Sequence, residues 1–329
     1  MATSSIHVPS AGPVAGSRSF FSRLRDGDEI ARLITFLFAA SVVLITVMLV
    51  YELWVGSVLP RHKFGLGFFI TRVWDPIAEN FGALPFIYGT LVTATVSLLI
   101  AVPLGIGAAI FLAELAPQKL SDLLQFFIDL LAAVPSVIYG LLGVFIVVPM
   151  MREWVQPALK NTLGFLPLFQ GPAYGVGFLT AGIVLAIMAI PYIISVSREV
   201  LLSVPRDQRE AALALGSTRW ESTWNVVVPF ARTGIMGSIF LALARALGET
   251  MAVTMVIGNT PTISASLLSP GYSIAAVIAN EFTEATGDLY LQALIELGLV
   301  LFLLTFILNG LARLLMLLTT QRGSGTANA

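Results

Sequence analysis

Six apolar runs organise the chain, at roughly 30–53, 88–115, 126–150, 176–196, 233–258 and 291–314. Each can cross a bilayer as a helix, which takes about 20 residues because every backbone polar group must be satisfied inside the segment. The pattern predicts an all-α polytopic membrane protein with six transmembrane helices. Between the last two runs, SIAAVIANEF (273–282) is too short to span and predicts a short or re-entrant helix. Residues 1–29 are polar, rich in Ser and Gly, and carry Arg18, Arg23 and Arg25. The run that follows is longer than a signal-peptide core and lacks a small-residue cleavage site near its end. It reads as a retained first helix behind an uncleaved tail.

Charge sets the orientation. With the N-terminus in the cytoplasm, 12 of the 18 Lys and Arg residues fall on that side and five on the other, leaving Arg245 inside the fifth run. Both termini are therefore expected to be cytoplasmic. Trp54, Trp74 and Trp154 then sit at or near run ends facing outside, where amphipathic rings favour the interface. The outer interval 259–290 carries Glu281, Glu284 and Asp288 but no basic residue.

Composition narrows the chemistry. The chain is 57% apolar, only 11% charged, and has a mean hydropathy of +0.90, as suits a lipid solvent. The absence of Cys removes disulfides, thiolate metal sites and Cys nucleophiles. The two histidines, His7 and His62, lie outside the apolar runs, which argues against haem or His-based zinc sites. No G-x-x-x-x-G-K loop is present to bind ATP, so no cofactor is expected in this chain. A membrane enzyme such as an intramembrane protease is disfavoured, because His-Glu-x-x-His, paired intramembrane aspartates and Gly-x-Ser-x-Gly are all missing.

Glycine and proline recur inside the runs, among them Pro103, Gly105, Pro135, Gly140, Gly143 and Gly248. Small residues let helices approach closely and prolines kink them, so a packed and bent bundle is expected. The 36-residue interval 197–232 holds five arginines and a helical pattern of its own. Pro205 suits the first turn of a helix reading RDQREAALALG, and Gly216 is placed for the left-handed turn that ends it. Thr218 and Glu221 have capping-box spacing, so a second helix is expected from there to about Val227, before Pro229. Ala211, Ala212 and Ala214 give the first helix a low-relief surface that another protein could approach. An amphipathic helix lying on anionic lipid explains this pattern equally well. DNA binding explains it poorly, because the elbow is tethered between two spans and has no free basic face.

Inside the fifth run, Arg245 and Glu249 are four apart and would share one face of a continuous helix. A charge at mid-bilayer costs roughly 2.5–3.5 kcal/mol on insertion scales, so such residues usually line a pathway. Arginine is also well shaped to hold an oxyanion. The alternative is an inert ion pair that fixes helix register.

Glu210-Ala211-Ala212, three residues, Gly216, nine residues, Val226, one residue and Val228-Pro229 resemble the cytoplasmic loop signature of ABC importer membrane subunits. Valine replaces the signature's Ile and Leu. ALARALGETMAVTMVIGNT (242–260), GTLVTATVSLLIAVPLGIGAAIFLAELAP (89–117) and AAVPSVIYGLLG (132–143) are similar to the C-type permease subunit of bacterial phosphate-specific ABC importers. The likeness covers about 88–315. It implies a type-1 (MetI-like) transmembrane fold over 88–315, with a coupling loop at 197–232. Residues 30–87 match the family's extra N-terminal helix and outer loop, leaving tails at 1–29 and 316–329. Implied partners are an A-type permease, two copies of an ATPase that binds ATP and Mg, and an extracytoplasmic phosphate-binding protein. Phosphate is the implied cargo, with membrane lipids around and no nucleic acid. Arg245 and Glu249 match the pathway positions; Glu210, Ala211, Ala212, Gly216, Arg206, Arg209 and Arg219 fall in the ATPase-coupling loop. The A-type subunit, a permease for another oxyanion or an amino acid, and a purely structural subunit are the rival readings.

Overall fold

The computed structural model describes residues 28–324. Their helices are α1 (Asp28–Gly56), α2 (Val58–Phe64), α3 (Gly67–Ile70), α4 (Leu84–Leu115), α5 (Gln118–Ala133) and α6 (Ser136–Leu163). After these come α7 (Phe178–Leu202), α8 (Arg206–Ala214), α9 (Arg219–Gly248), α10 (Met251–Val256), α11 (Ile274–Glu281) and α12 (Asp288–Ser324). Six of them, α1, α4, α6, α7, α9 and α12, are long and apolar enough to cross a membrane. The expected tail at 1–29 lies almost wholly outside the described residues, as do the last five residues of the tail expected from 316.

The chain divides into two compact units, 1–52 and 53–329. The first contributes the body of α1, whose apolar side chains, such as Phe36, Phe38 and Ile45, are exposed. In the second unit α7 is the axis: 61% of its most apolar stretch is buried, against 28–33% for α4, α6, α9 and α12. Small residues set the spacing around it. A Cβ on Gly182 would lie 2.4 Å from a Val96 methyl on α4, and one on Gly89 would lie 2.0 Å from the Tyr272 carbonyl oxygen. The 273–282 segment forms α11, with Ser273 as its N-cap, and packs with Phe68, Phe81 and Phe86 in one aromatic-rich core.

Proline shapes the long helices in a regular way. Among the described residues four wide (π) turns occur, at Phe111–Leu115, Gly143–Val147, Met151–Val155 and Thr223–Val227. Each ends two residues before a proline: Pro117, Pro149, Pro157 and Pro229. In each, the residue before the proline reaches back five places, as in Ala116 N–H to the Phe111 carbonyl and Val228 N–H to that of Thr223. A proline offers no N–H and its ring crowds the carbonyl four residues back. One extra residue in the preceding turn moves that carbonyl aside. At Pro149, Pro157 and Pro229 the helix therefore continues instead of stopping.

This corrects two expectations. The helix starting near Thr218 does not end before Pro229; it runs on unbroken as the fifth span. The apolar run 126–150 is not one helix. Val134 is extended, as a residue before proline prefers, so α5 ends at Ala133 and the third span starts at Ser136. That span then continues to Leu163, into what hydropathy presents as an outer loop.

Gly89→Ala is expected to destabilise the protein by about 1–3 kcal/mol, because backbone must move to admit the methyl. Gly107→Ala, where nothing lies within 4 Å of the new atom, should be neutral or mildly stabilising. Thermal unfolding of the two variants in detergent checks the contrast, and equal midpoints would refute it.

Candidate functional site

Two regions carry unusual polar chemistry. The first is the elbow α8–α9. Gly216 has φ +90°, its N–H donates to the Leu213 carbonyl (3.0 Å), and Ser217 N–H donates to that of Ala212 (3.2 Å). This pair of bonds closes α8 on a left-handed residue. The capping box forms in both halves: Glu221 N–H donates to Thr218 Oγ1 (3.3 Å) and Thr218 N–H to Glu221 Oε2 (2.8 Å).

The elbow is clamped to the bundle from within. Arg209 on α8 pairs with Glu114 at the end of α4, Nη2 to Oε1 at 2.8 Å and Nε to both oxygens at 3.2 Å. Its Nη2 also donates to the Leu201 carbonyl (2.7 Å), and Nη1 donates to that of Val204. Nearby, Arg198 of α7 donates to Ser121 Oγ on α5 (3.1 Å) and pairs with Asp122 (3.4 Å). Among the residues expected to face a partner, Arg209 is thus turned inward and Ala212 is buried. Arg206, Glu210, Ala211, Gly216 and Arg219 are exposed. The outer surface also carries apolar groups that the sequence reading passed over. Leu215 is 89% exposed, and Trp220 and Trp224 meet edge to face with centroids 5.6 Å apart.

The second region lies where two apolar runs are interrupted. α9 ends at Gly248; Glu249 is extended, with φ −72° and ψ 125°, and the chain resumes helix as α10 at Met251. Arg245 and Glu249 therefore do not share a helical face, which corrects the i,i+4 expectation. Glycine weakens the end of α9, and the Glu249 carboxylate accepts the Ala252 N–H at 3.4 Å, helping to start α10 instead of extending α9. Arg245 stands in the last turn of α9, where a cation opposes the helix dipole. Its guanidinium carbon lies 5.1 Å from the centre of the Tyr192 ring, and its Nε is buried without a partner.

The break at Val134–Pro135 lies beside this one. A Cβ on Gly140, one turn into α6, would meet the Met255 sulfur at 2.6 Å and the Ala252 Cα at 3.2 Å, so α6 and α10 touch backbone to backbone. The Tyr139 hydroxyl, within reach of Arg245's charge, donates to the Leu131 carbonyl at the broken end of α5 (2.7 Å). On the same α5, Asp129 accepts from Ser195 (2.6 Å) and Gln125 (2.7 Å). Irregular backbone at membrane depth persists where it is buried in protein or lines a polar path. The arrangement can therefore offer a half-buried cation, a nearby carboxylate and hydroxyls to a small ion. Glu114, Asp129 and Glu296 escaped the sequence reading, yet each is an acid inside an apolar run, the very signal that singled out Glu249.

The family described as "binding-protein-dependent transport system inner membrane component" matches residues 101–317. The chain is 47% identical to the phosphate transport system permease protein PstC of Mesorhizobium japonicum, over 84% of this chain and 87% of that one. It is 46% identical to the protein of the same name from Haemophilus influenzae, over 91% and 96%. A solved bacterial ABC transporter that imports alginate shares the fold, with TM-score 0.56, 17% identity and coverage of 90% of this chain and 99% of that one. An inward-facing structure of the MetNI methionine transporter aligns at TM-score 0.50 and 17% identity, over 73% and 98%. With six apolar helices and a family match across about two thirds of its length, this chain belongs to the inner-membrane components of binding-protein-dependent ABC importers.

Proposed function

We propose that the chain is the C-type permease subunit of an ATP-driven importer of inorganic phosphate, forming half of the translocation pathway. The observation that carries this reading is its 46–51% identity to proteins named as phosphate transport permeases, over about four fifths or more of its length. Both termini lie in the cytoplasm. The partners are an A-type permease, two ATPase subunits that bind ATP and Mg, and an extracytoplasmic phosphate-binding protein.

The mechanism follows from the two regions. The exposed face of the elbow, with Glu210, Ala211, Leu215 and Arg219, docks on the ATPase. When ATP closes the ATPase pair, α8 moves. The Arg209–Glu114 clamp carries that movement to α4, and the unbroken helix α9 carries it to Arg245. Arg245 holds a guanidinium N–H with no protein acceptor, so an oxyanion arriving at the broken helix gains a donor already desolvated. Glu249, held only by one long bond, limits how tightly a dianion is retained. Alternating access then follows from rocking the bundles around a fixed site.

Three outcomes check this. In proteoliposomes carrying the assembled complex and binding protein, unlabelled phosphate should abolish labelled phosphate uptake while sulfate should not; failure of phosphate to compete rejects the cargo. Glu249→Gln should lower transport at least about tenfold, roughly 1.4 kcal/mol in the barrier, with assembly intact. Normal transport by that variant would make the carboxylate structural. Glu114→Ala leaves Arg209 unpaired where its side chain is only 20% exposed, so the local cost should approach the lower end of the roughly 3–5 kcal/mol seen for broken buried pairs. Hydrogen exchange of the 206–215 amides should then rise and ATPase activity should uncouple from transport; unchanged protection would remove the clamp from the mechanism.

A further inference from the structure

A half-buried arginine and a buried glutamate line a cavity away from the elbow and the broken helices. A cavity of about 390 Å³ runs along α12 beside α2 and α3, lined by Arg61, Glu296, Trp54, Phe69, Leu299 and Leu303 among others. Glu296 is 2% exposed and its Oε2 has no partner. Arg61 spends two of its nitrogens at the junction of α1 and α2: Nε donates to the Ser57 carbonyl (3.2 Å) and Nη2 to that of Trp54. Its guanidinium lies over the Trp54 ring, 3.8 Å from the centroid. The remaining nitrogen, Nη1, is buried and unpaired. Arg61 and Glu296, each with one unpaired buried polar atom, thus line a single, otherwise apolar space.

The direction of this polarity is informative. Glu296 stands eight residues into α12, about 12 Å from the end at Asp288. Leu299 and Leu303 follow, so the apolar end lies up to about 10 Å deeper toward the bilayer middle. Polar toward the membrane face and apolar toward the midplane is the polarity of a phospholipid in the leaflet on the Asp288 side.

We propose that this cavity holds a phospholipid whose head group carries both a phosphodiester and a primary ammonium, as phosphatidylethanolamine does. The phosphate accepts from Arg61 Nη1, the ammonium donates to Glu296 Oε2, and one acyl chain lies along Leu299 and Leu303. Each unpaired atom then gains a hydrogen-bond partner. A choline head group has no N–H to donate, and an anionic head group without an amine sets its charge against Glu296. The site is independent of the phosphate reading, since none of its residues belongs to the proposed path.

Native mass spectrometry tests it. The full chain in detergent is offered equal amounts of phosphatidylethanolamine, phosphatidylcholine and phosphatidylglycerol with identical acyl chains. Phosphatidylethanolamine should be retained about tenfold over the others. Glu296→Gln should erase that preference. Leu299→Trp, which fills the apolar end and touches neither charge, should lower retention of all three lipids and keeps the test open if Glu296→Gln does not fold. Equal retention by the wild type, preference for phosphatidylglycerol, or a preference that survives Glu296→Gln would overturn the proposal.

Discussion

Hydrocarbon leaves no alternative partner for a backbone N–H or C=O, and most of this architecture answers that constraint. Prolines at 117, 149, 157 and 229 each remove a donor, and a wide turn precedes each one. Where helix is interrupted inside an apolar run, at Val134 and at Glu249, the freed groups find specific partners. Tyr139 donates to Leu131, and Glu249 accepts from Ala252. The two interruptions adjoin across Gly140, so irregular backbone is concentrated at one place, and Arg245 is there.

The wide turn before Pro229 has a mechanical consequence. Because the helix passes the proline, α9 extends for 30 residues from the capping box at Thr218 to Gly248, about 45 Å of continuous rod. A push at the elbow need not cross a loop to reach Arg245. Ser197 and Ser238 hydrogen-bond at 2.8 Å between α7 and α9, a polar contact along which the rod can pivot against the axial helix. Arg209–Glu114 fastens the same elbow to α4, and Arg198–Ser121 fastens the adjoining end of α7 to α5. The proposed lever therefore turns at one point between its two helices, the left-handed Gly216.

Much of this was legible in the sequence. Hydropathy alone finds that there are six spans, and Gly216, Thr218 and Glu221 announce the elbow's turn and cap, since both rest on local chemistry. Hydropathy fails where a run hides a break: Val134 and Glu249 sit among apolar neighbours, and a sliding window reads straight across them. It also misplaces the third span, because the amphipathic α5 exposes Leu120, Leu123, Phe126 and Phe127 and so scores as a membrane segment. The inward turn of Arg209 depends on Glu114, 95 residues earlier, a pairing that no local pattern encodes. The signature that singles out Glu210 says nothing of which neighbours face the bundle, and only packing separates Ala212 from Ala211.

The account rests on the interruption at Gly248–Thr250 being the water-reached point of the fifth apolar run, where the anion passes Arg245. The chain contains no cysteine, so single cysteines placed from Leu243 to Ala252 in the assembled transporter can be read without background from this chain. Reaction with a small, charged, membrane-impermeant thiol reagent should peak at positions 249 and 250, fall sharply at the buried positions 246 and 247, and slow when phosphate is present. Uniformly unreactive cysteines across the interruption, or reactivity indifferent to phosphate, would contradict it.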